Sequence, residues 1–396
     1  MTTGLSPQRL EHMHEVLSGY VTRRELPGLV AVIRRHGRVY THTIGTLAFD
    51  DPEPMTVDTP FRIASLTKPV TAVAAMILVE GGVLRLDDPV DPLLPELAGR
   101  RVLTDPAAAL DQTGPAERPI TLRDLLTFRA GIGMYFAMPG TFPLQKAMEQ
   151  AELQRGPEPV ALSGDEWLAR LAELPLAAQP GTTWMYHTSA EILGLLIERA
   201  TGQSLDEVMR ERIFTPLGMT RTGFQLRDGA GTLPTCYVRD QETAQVEPFH
   251  SETERGWHEK IGLNQGGAGL VSTAGDYASF LQMLLSRGAY GGGRILSRPT
   301  VELMTMNHLA ESDRGPHCFL EADTGWGLGL AVTTHRTEAW SNAGRFGWNG
   351  GTGTTGYADP AEDLVGVLMT QRFLQSPSAP AMFGDFWTQT YAAIED

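Results

Sequence analysis

Cysteine is scarce: Cys236 and Cys318 are the only two in 396 residues. They lie far apart and belong to no C-x-x-C pair, which argues against a disulfide framework and against a thiolate zinc site. No run approaches the ~20 uninterrupted apolar residues that a membrane-spanning helix requires. Positive charge is short as well. With 32 basic against 47 acidic residues the formal charge is −15, so neither nucleic acid nor an anionic membrane is expected as a partner. The chain opens Met1-Thr-Thr-Gly-Leu-Ser-Pro, without a basic segment followed by an apolar one, and the expected location is cytoplasmic. The histidines are scattered and no H-E-x-x-H occurs, so no metal or other cofactor is expected. No G-x-S-x-G occurs either, which leaves an α/β-hydrolase unsupported. Lysine is the rarest cation. Only Lys68, Lys146 and Lys260 are present, so this chain uses arginine wherever any cation will serve.

What is present fits a large packed core. Apolar residues make up 42% and charged residues 20%, and the length suits two domains. Ser6-Pro7 opens a helix reaching about Arg24, with Leu10, Met13, Val16 and Leu17 on one face. A hairpin follows, from strands over 28–34 and 39–45 around His36-Gly37. Val70 to Leu78 forms an apolar helix that begins near Ser65 and Thr67 and stops at Gly81-Gly82. From 83 to about 255, proline, loops and short helical patterns dominate. Residues 131–160 read as a long loop carrying Met134, Tyr135, Phe136, Met138 and Phe142, and a loop of that length is usually functional. Strand signals return at 269–271, 327–334, 353–358 and 364–370, with helices over 274–286 and 380–394. No helix separates the last two strands, which predicts antiparallel pairing. The expected organisation is a sheet-bearing domain from 1–60 and 262–396 and a mostly helical domain over 61–261, with 131–160 as a lid-like loop.

Ser65-Leu-Thr-Lys68 places an amine one helical turn from a hydroxyl. Serine is a weak nucleophile and needs a base. A lysine serves when neutral, and both a low-dielectric cleft and the positive end of a helix favour the neutral form. The first N–H groups of the helix, that of Ser65 included, lack intrahelical acceptors and can hold an oxyanion. A bare S-x-x-K is more often a capping serine with a surface lysine. Here an arginine-preferring chain has kept lysine, which unlike arginine can lose its proton, and the turn that follows is strongly apolar. Tyr186, in Trp184-Met-Tyr186-His-Thr188, precedes another helix. It reads either as an aromatic anchor or as a phenol able to relay a proton. Trp348-Asn-Gly350-Gly351-Thr-Gly353 formally contains G-x-G-x-x-G, but a strand follows instead of a helix, which excludes dinucleotide binding. Its glycines permit a close backbone approach and a second oxyanion donor, or simply make a hairpin turn.

These segments, with Leu125-Leu-Thr-Phe-Arg-Ala-Gly131, Pro180-Gly-Thr-Thr-Trp-Met-Tyr186, Glu191 to Gly202, Gly266-Gly-Ala-Gly-Leu-Val-Ser-Thr273 and Gly325-Trp-Gly-Leu-Gly329, make the chain resemble the serine β-lactamase and penicillin-binding-protein superfamily. Within it the class C β-lactamase-like esterases, the family VIII carboxylesterases, are most similar. The likeness spans nearly the whole chain with its motifs in order. It implies an α+β fold of the β-lactamase/transpeptidase type: an antiparallel sheet flanked by helices, plus an inserted, mostly helical part, with the site in the cleft. It carries the nucleophile to Ser65, the base to Lys68, the proton relay to Tyr186 and the second oxyanion donor to the backbone of Gly351.

Two departures shape the expected activity. Tyr186-His-Thr188 stands where tyrosine-x-asparagine is usual, and Trp348-Asn-Gly350 where lysine-threonine-glycine is usual. Replacing a cation by an indole removes attraction for an anionic substrate and offers an apolar wall. The expectation is a serine hydrolase cleaving short-chain carboxylic esters through an acyl-enzyme, with Trp348, Gly350, Gly351, Thr188, Tyr135 and Phe136 toward the substrate. β-Lactamase, D-amino-acid peptidase or amidase, and acyltransferase activity would use the same centre, and a ligand-binding module without catalysis is the remaining rival. The expected partner is a small-molecule ester, and the oligomeric state is left open.

Overall fold

A computed structural model describes residues 4–153, 158–226, 231–240, 243, 245–249, 254–260, 262–376 and 378–396. Its centre is an antiparallel sheet of eight strands: β1 (Gly28–Arg35), β2 (Arg38–Ala48), β3 (Asp51–Pro54), β4 (Thr324–Trp326), β5 (Ala331–Thr333), β6 (Phe346–Gly350), β7 (Thr354–Asp359) and β8 (Leu364–Met369). They lie in the order β4-β5-β6-β7-β8-β1-β2-β3. The two ends of the chain therefore meet at the middle of the sheet, where Val30 faces Met369 and Arg35 faces Leu364. Five helices position the rest: α1 (Pro7–Thr22), α2 (Thr67–Glu80), α3 (Thr188–Thr201), α4 (Ala274–Leu285) and α5 (Ala381–Ala392).

Side chains alternate across a strand, and in β1 and β8 both faces are apolar. Leu29, Ala31, Ile33, Leu364 and Leu368 pack under α1 and α5, against Leu17, Phe383, Phe386 and Trp387. Val30, Val32, Val365 and Val367 face the other way, where α4 brings Tyr277, Phe280 and Leu281. Trp387 rests on Gly366, where a Cβ would stand 2.5 Å from its indole. Phe386 is wholly buried here. Phe386→Ala is expected to cost roughly 3–5 kcal/mol of stability, read as a lower urea midpoint. A loss under about 1 kcal/mol would show that the closing helix lies outside the cooperative unit.

The second apolar cluster does not stop at the sheet. It runs on from α4 through α2 to α3 and the helices at Leu122–Leu126 and Gly164–Ala172. Helix α2 is buried on almost every side from Thr67 to Met76. Pro69 sits in its first turn, where no intrahelical donor is needed. Gly82, at φ +71°, closes it while Val83 N–H returns to Leu78 O at 2.9 Å.

The structure differs from the sequence reading in three places. The strand expected over 327–334 is a hairpin: Gly327–Leu330 turns between β4 and β5, with Gly329 at φ +81° and its N–H on Leu126 O. The expected loop 131–160 contains a helix, Pro143–Gln150, with Leu144 and Met148 buried; its residues 154–157 lie outside the described residues. The helical part also carries short hairpins, Arg101–Leu103 with Thr113–Pro115 and Tyr237–Arg239 with Val246–Pro248. The expected boundary at Ile261 falls on a residue outside the described ones. Among the described residues no helix is long and apolar enough to cross a membrane, and no group of three histidine, cysteine or acidic side chains is placed to hold a metal.

Candidate active site

The segment leading to Ser65 is pinned from several sides. Phe61–Arg62 pairs with Val271–Ser272, and Ile63 N–H donates to Leu270 O at 3.0 Å. The chain then turns tightly through Ala64–Leu66 before α2 begins at Thr67, so Ser65 sits in a 3₁₀ turn just ahead of the helix proper. Ala64 is held at φ +44°, a backbone region that residues with a Cβ seldom adopt. Its neighbours over-determine it. Thr352 donates to Arg62 O, Thr354 Oγ1 to Ile63 O at 3.2 Å and Tyr277 Oη to Leu66 O at 3.0 Å. Gly350 lies beneath this turn, where a Cβ would come within 2.3 Å of Ile63 O, so β6 can approach only as glycine.

Lys68 Nζ is 2.9 Å from Ser65 Oγ, 2.7 Å from Gly267 O and 3.1 Å from His187 Nδ1. The side chain is 1% exposed, and the amine lies 4.5 Å from the centre of the Tyr186 ring. Burial draws its pKa down from 10.5 to about 7, against the pull of the Glu191 carboxylate, which favours the charged form. Near neutral pH a large share of the amine is therefore unprotonated, with its lone pair able to accept the Ser65 proton.

Trp348 Nε1 donates to Tyr186 Oη at 2.6 Å, and the phenol also stands within hydrogen-bonding reach of Ser65. Burial pushes this phenol far above its ordinary range, more than the two hydrogen bonds lower it. It stays a neutral O–H, with its oxygen engaged by the indole and its proton free for Ser65 or a leaving group. The cleft in front of Ser65 is about 330 Å³, walled by Met134, Phe136, Phe319, Trp348 and Leu374, with Gly351 on its rim. The Gly351 carbonyl is taken by Leu374 N–H at 2.8 Å.

Of the residues singled out in the sequence, the fold brings Ser65, Lys68, Tyr186, Trp348, Gly351 and Phe136 together. It does not bring the other three to the cleft. Thr188 is completely buried at the first position of α3, its Oγ1 without a partner. Gly350 lies behind the Ser65 turn. Tyr135 points away and stacks on Phe142, with His317 at its edge. Three residues of the site are not picked out by the sequence reading, Phe319, Leu374 and His187, and Met134 is named there only as part of the long loop. Phe319 lies in the polar run 311–323, and nothing local marks it. His187 had a signal, its position next to Tyr186, but was counted among the scattered histidines.

The geometry agrees with what comparison finds. The Beta-lactamase family profile matches residues 13–384. The chain belongs to the Beta-lactamase family. Its relatives include Protein Rv1367c of Mycobacterium tuberculosis, 37% identical over 87% of this chain and 86% of that protein. Lovastatin esterase of Penicillium rubens is 31% identical over 85% of this chain and 86% of its own. Among solved structures, EstCE1, described as a hydrolase with promiscuous acyltransferase activity, superposes with a TM-score of 0.81 at 26% identity, covering 97% of this chain and 99% of that one. The Beta-lactamase-family fold, a large antiparallel sheet flanked by helices, is thus the fold of this chain, and its homologues include esterases and acyltransferases.

Proposed function

We propose that the protein is a serine carboxylesterase acting on short, uncharged acyl esters. The site would lie where the sheet-bearing part, 1–60 and 262–396, meets the helical part, 61–261. The observation that carries the reading is the composition of the cleft. Ser65 opens onto Met134, Phe136, Phe319, Trp348 and Leu374, and no arginine or lysine lines the cavity among the described residues. A β-lactam or peptide carboxylate would find no counter-ion there, whereas an apolar acyl chain gains by leaving water.

In this reading neutral Lys68 takes the Ser65 proton as Oγ attacks the ester carbonyl. The Ser65 and Gly351 N–H groups hold the oxyanion, an arrangement in which one donor is worth roughly 3–4 kcal/mol of barrier. Tyr186 passes a proton to the leaving alkoxide and takes one back from Lys68, which is neutral again. Water, activated by the same lysine, then cleaves the acyl-enzyme. The relationship to EstCE1 supports a second fate for the acyl group, transfer to an alcohol, through the same intermediate.

Parallel assays decide between substrate classes. p-Nitrophenyl butyrate is expected to be turned over far faster than a chromogenic cephalosporin, and a fluorophosphonate is expected to label Ser65, seen by mass spectrometry. Dominant cephalosporin turnover, or no label on Ser65, would overturn the assignment. Added short alcohols are expected to divert part of the butyryl group to a new ester.

A further inference from the structure

Behind Lys68 stand two buried polar residues that the proposed reaction leaves unused. His187 Nδ1 faces the lysine amine at 3.1 Å, and His187 Nε2 faces Glu191 Oε1 at 3.3 Å. Both side chains are at most 5% exposed. Neither Glu191 oxygen has a hydrogen-bond partner among the described residues, so the carboxylate meets the imidazole as a close ion-pair contact. A buried polar group in that position is costly unless something repays it.

The backbone is bent to make the contact. His187 has φ +80° and ψ −66°, with Thr188 N–H returning to Tyr186 O at 3.1 Å. This is the strained form of the γ-turn, rare in proteins and unfavourable for a residue with a Cβ. The bend points Tyr186 into the cleft and turns the adjacent imidazole under Lys68. Gly267 completes the arrangement. Its carbonyl holds the lysine at 2.7 Å, and a Cβ on it would stand 2.5 Å from Glu191 Oε1 and 3.2 Å from His187 Cε1. Thus one glycine is packed against all three groups.

We propose that His187 and Glu191 are positioning residues that orient the Lys68 amine and share the charge it gains when Ser65 loses its proton. This rests on the reading of Ser65 and Lys68 as nucleophile and base. A neutral lysine has two N–H bonds and one lone pair. With the N–H bonds donated to Gly267 O and His187 Nδ1, the lone pair has one direction left, toward Ser65 Oγ. For Nδ1 to accept, the imidazole proton must sit on Nε2, where it faces Glu191. When the Ser65 proton moves to Lys68, the O–H bond breaks and a third N–H forms. The new positive charge then lies one imidazole away from a carboxylate, the arrangement a triad uses for its histidine, displaced here by one residue.

The titratable groups facing His187 are Lys68 from α2, Glu191 one turn along α3 and the Tyr186 phenol; the Gly267–Ala268 segment adds only backbone. Removing the Glu191 charge makes the ammonium form of Lys68 less favourable. Glu191→Gln is therefore expected to move the acid limb of kcat/KM for p-nitrophenyl butyrate to lower pH by about half a unit or more. Its plateau is expected to fall roughly 10- to 100-fold, on the scale of a close buried contact with a charged group. His187→Asn keeps an acceptor near the Nδ1 position and tolerates the positive φ. It should retain several-fold more activity than His187→Ala while also losing the influence of Glu191 on the limb. Circular dichroism at each pH verifies folding.

In the unmodified enzyme, ¹⁵N-histidine NMR is expected to show His187 as the Nε2–H tautomer, with its Nδ1 resonance shifting at the midpoint of the activity limb. An Nδ1–H tautomer, or an unmoved limb in folded Glu191→Gln, overturns the inference while Ser65 still takes the fluorophosphonate. Failure of that label in the unmodified enzyme instead overturns the esterase reading.

Discussion

Arginine in place of Lys68 is expected to silence the enzyme as thoroughly as alanine does, with p-nitrophenyl butyrate turnover down at least roughly 10³-fold, the scale on which loss of a general base is felt. Charge is not what the site needs from this residue. A guanidinium keeps its proton at every accessible pH, so it can donate to Ser65 but never accept from it. Lysine can, because burial brings its amine to about 7, and activity should rise with pH through that value and then level off. Folding should respond to pH in the same direction. The unfolded lysine has its ordinary pKa of 10.5 and the folded one about 7. Between these values the unfolded chain holds a proton that the folded chain has released, so stability rises with pH. The penalty for burying the ammonium is complete below pH 7, shrinks as pH climbs toward 10.5 and vanishes above it. Lys68→Met, which keeps the shape and drops the charge, is thus expected to be inactive yet to melt a few degrees higher than the parent at pH 6, with a smaller gain at pH 9. A lower melting point at pH 6 would mean that the amine is not held against its own desolvation, and the base would have to be sought elsewhere.

The sequence announced this lysine for chemical reasons and hid its surroundings for geometric ones. Ser65 and Lys68 are three residues apart, and a helix makes that spacing a contact whatever the rest of the chain does. The middle of the sheet was equally legible, because Leu29–Ile33 and Leu364–Met369 are continuous apolar runs that only a strand buried on both faces explains. His187 was legible only as the neighbour of Tyr186. Its partner Lys68 is 119 residues away, and the γ-turn that aims the imidazole has no sequence signature beyond a bulky residue where glycine would be easier. Phe319 reaches the cleft from a polar run because its ring meets those of Phe136 and Tyr186, with centroids 4.3 and 5.1 Å apart, contacts made by residues far apart in the chain. Tyr135 was misjudged for a related reason. Neighbours in an extended segment point to opposite sides, so Phe136 entering the cleft sends Tyr135 away from it. The helix at Pro143–Gln150 had a proline at its start, a signal that the surrounding aromatic residues obscured.

Tyr186→Phe is expected to lower kcat roughly 10²- to 10³-fold with KM changed by less than about threefold, since positioned proton transfer is worth that much and the ring itself remains. The phenol cannot act as a base here, because burial keeps it protonated across the whole working range. What it offers is a directed proton. Trp348 Nε1 occupies one side of its oxygen at 2.6 Å, leaving the O–H to point toward Ser65 and the departing alkoxide. A neutral donor costs nothing before the reaction and gains as negative charge builds on the leaving oxygen, so its loss should appear in kcat. The acid limb of the pH profile should stay where Lys68 puts it. Trp348→Phe removes the N–H that fixes the phenol's rotation together with part of the indole's packing, and a loss nearer 10-fold is expected, as for one hydrogen bond. In the double variant the tryptophan has no phenol left to orient. Its effect on top of Tyr186→Phe should therefore shrink toward the packing contribution of the indole against Trp326, a contact of 4.8 Å. Esters with good leaving groups need less protonation, so 4-nitrophenolate release should suffer less in Tyr186→Phe than release of a simple alkoxide such as ethoxide. Equal losses on both kinds of ester would place Tyr186 in the wall of the cleft and not in the path of the proton.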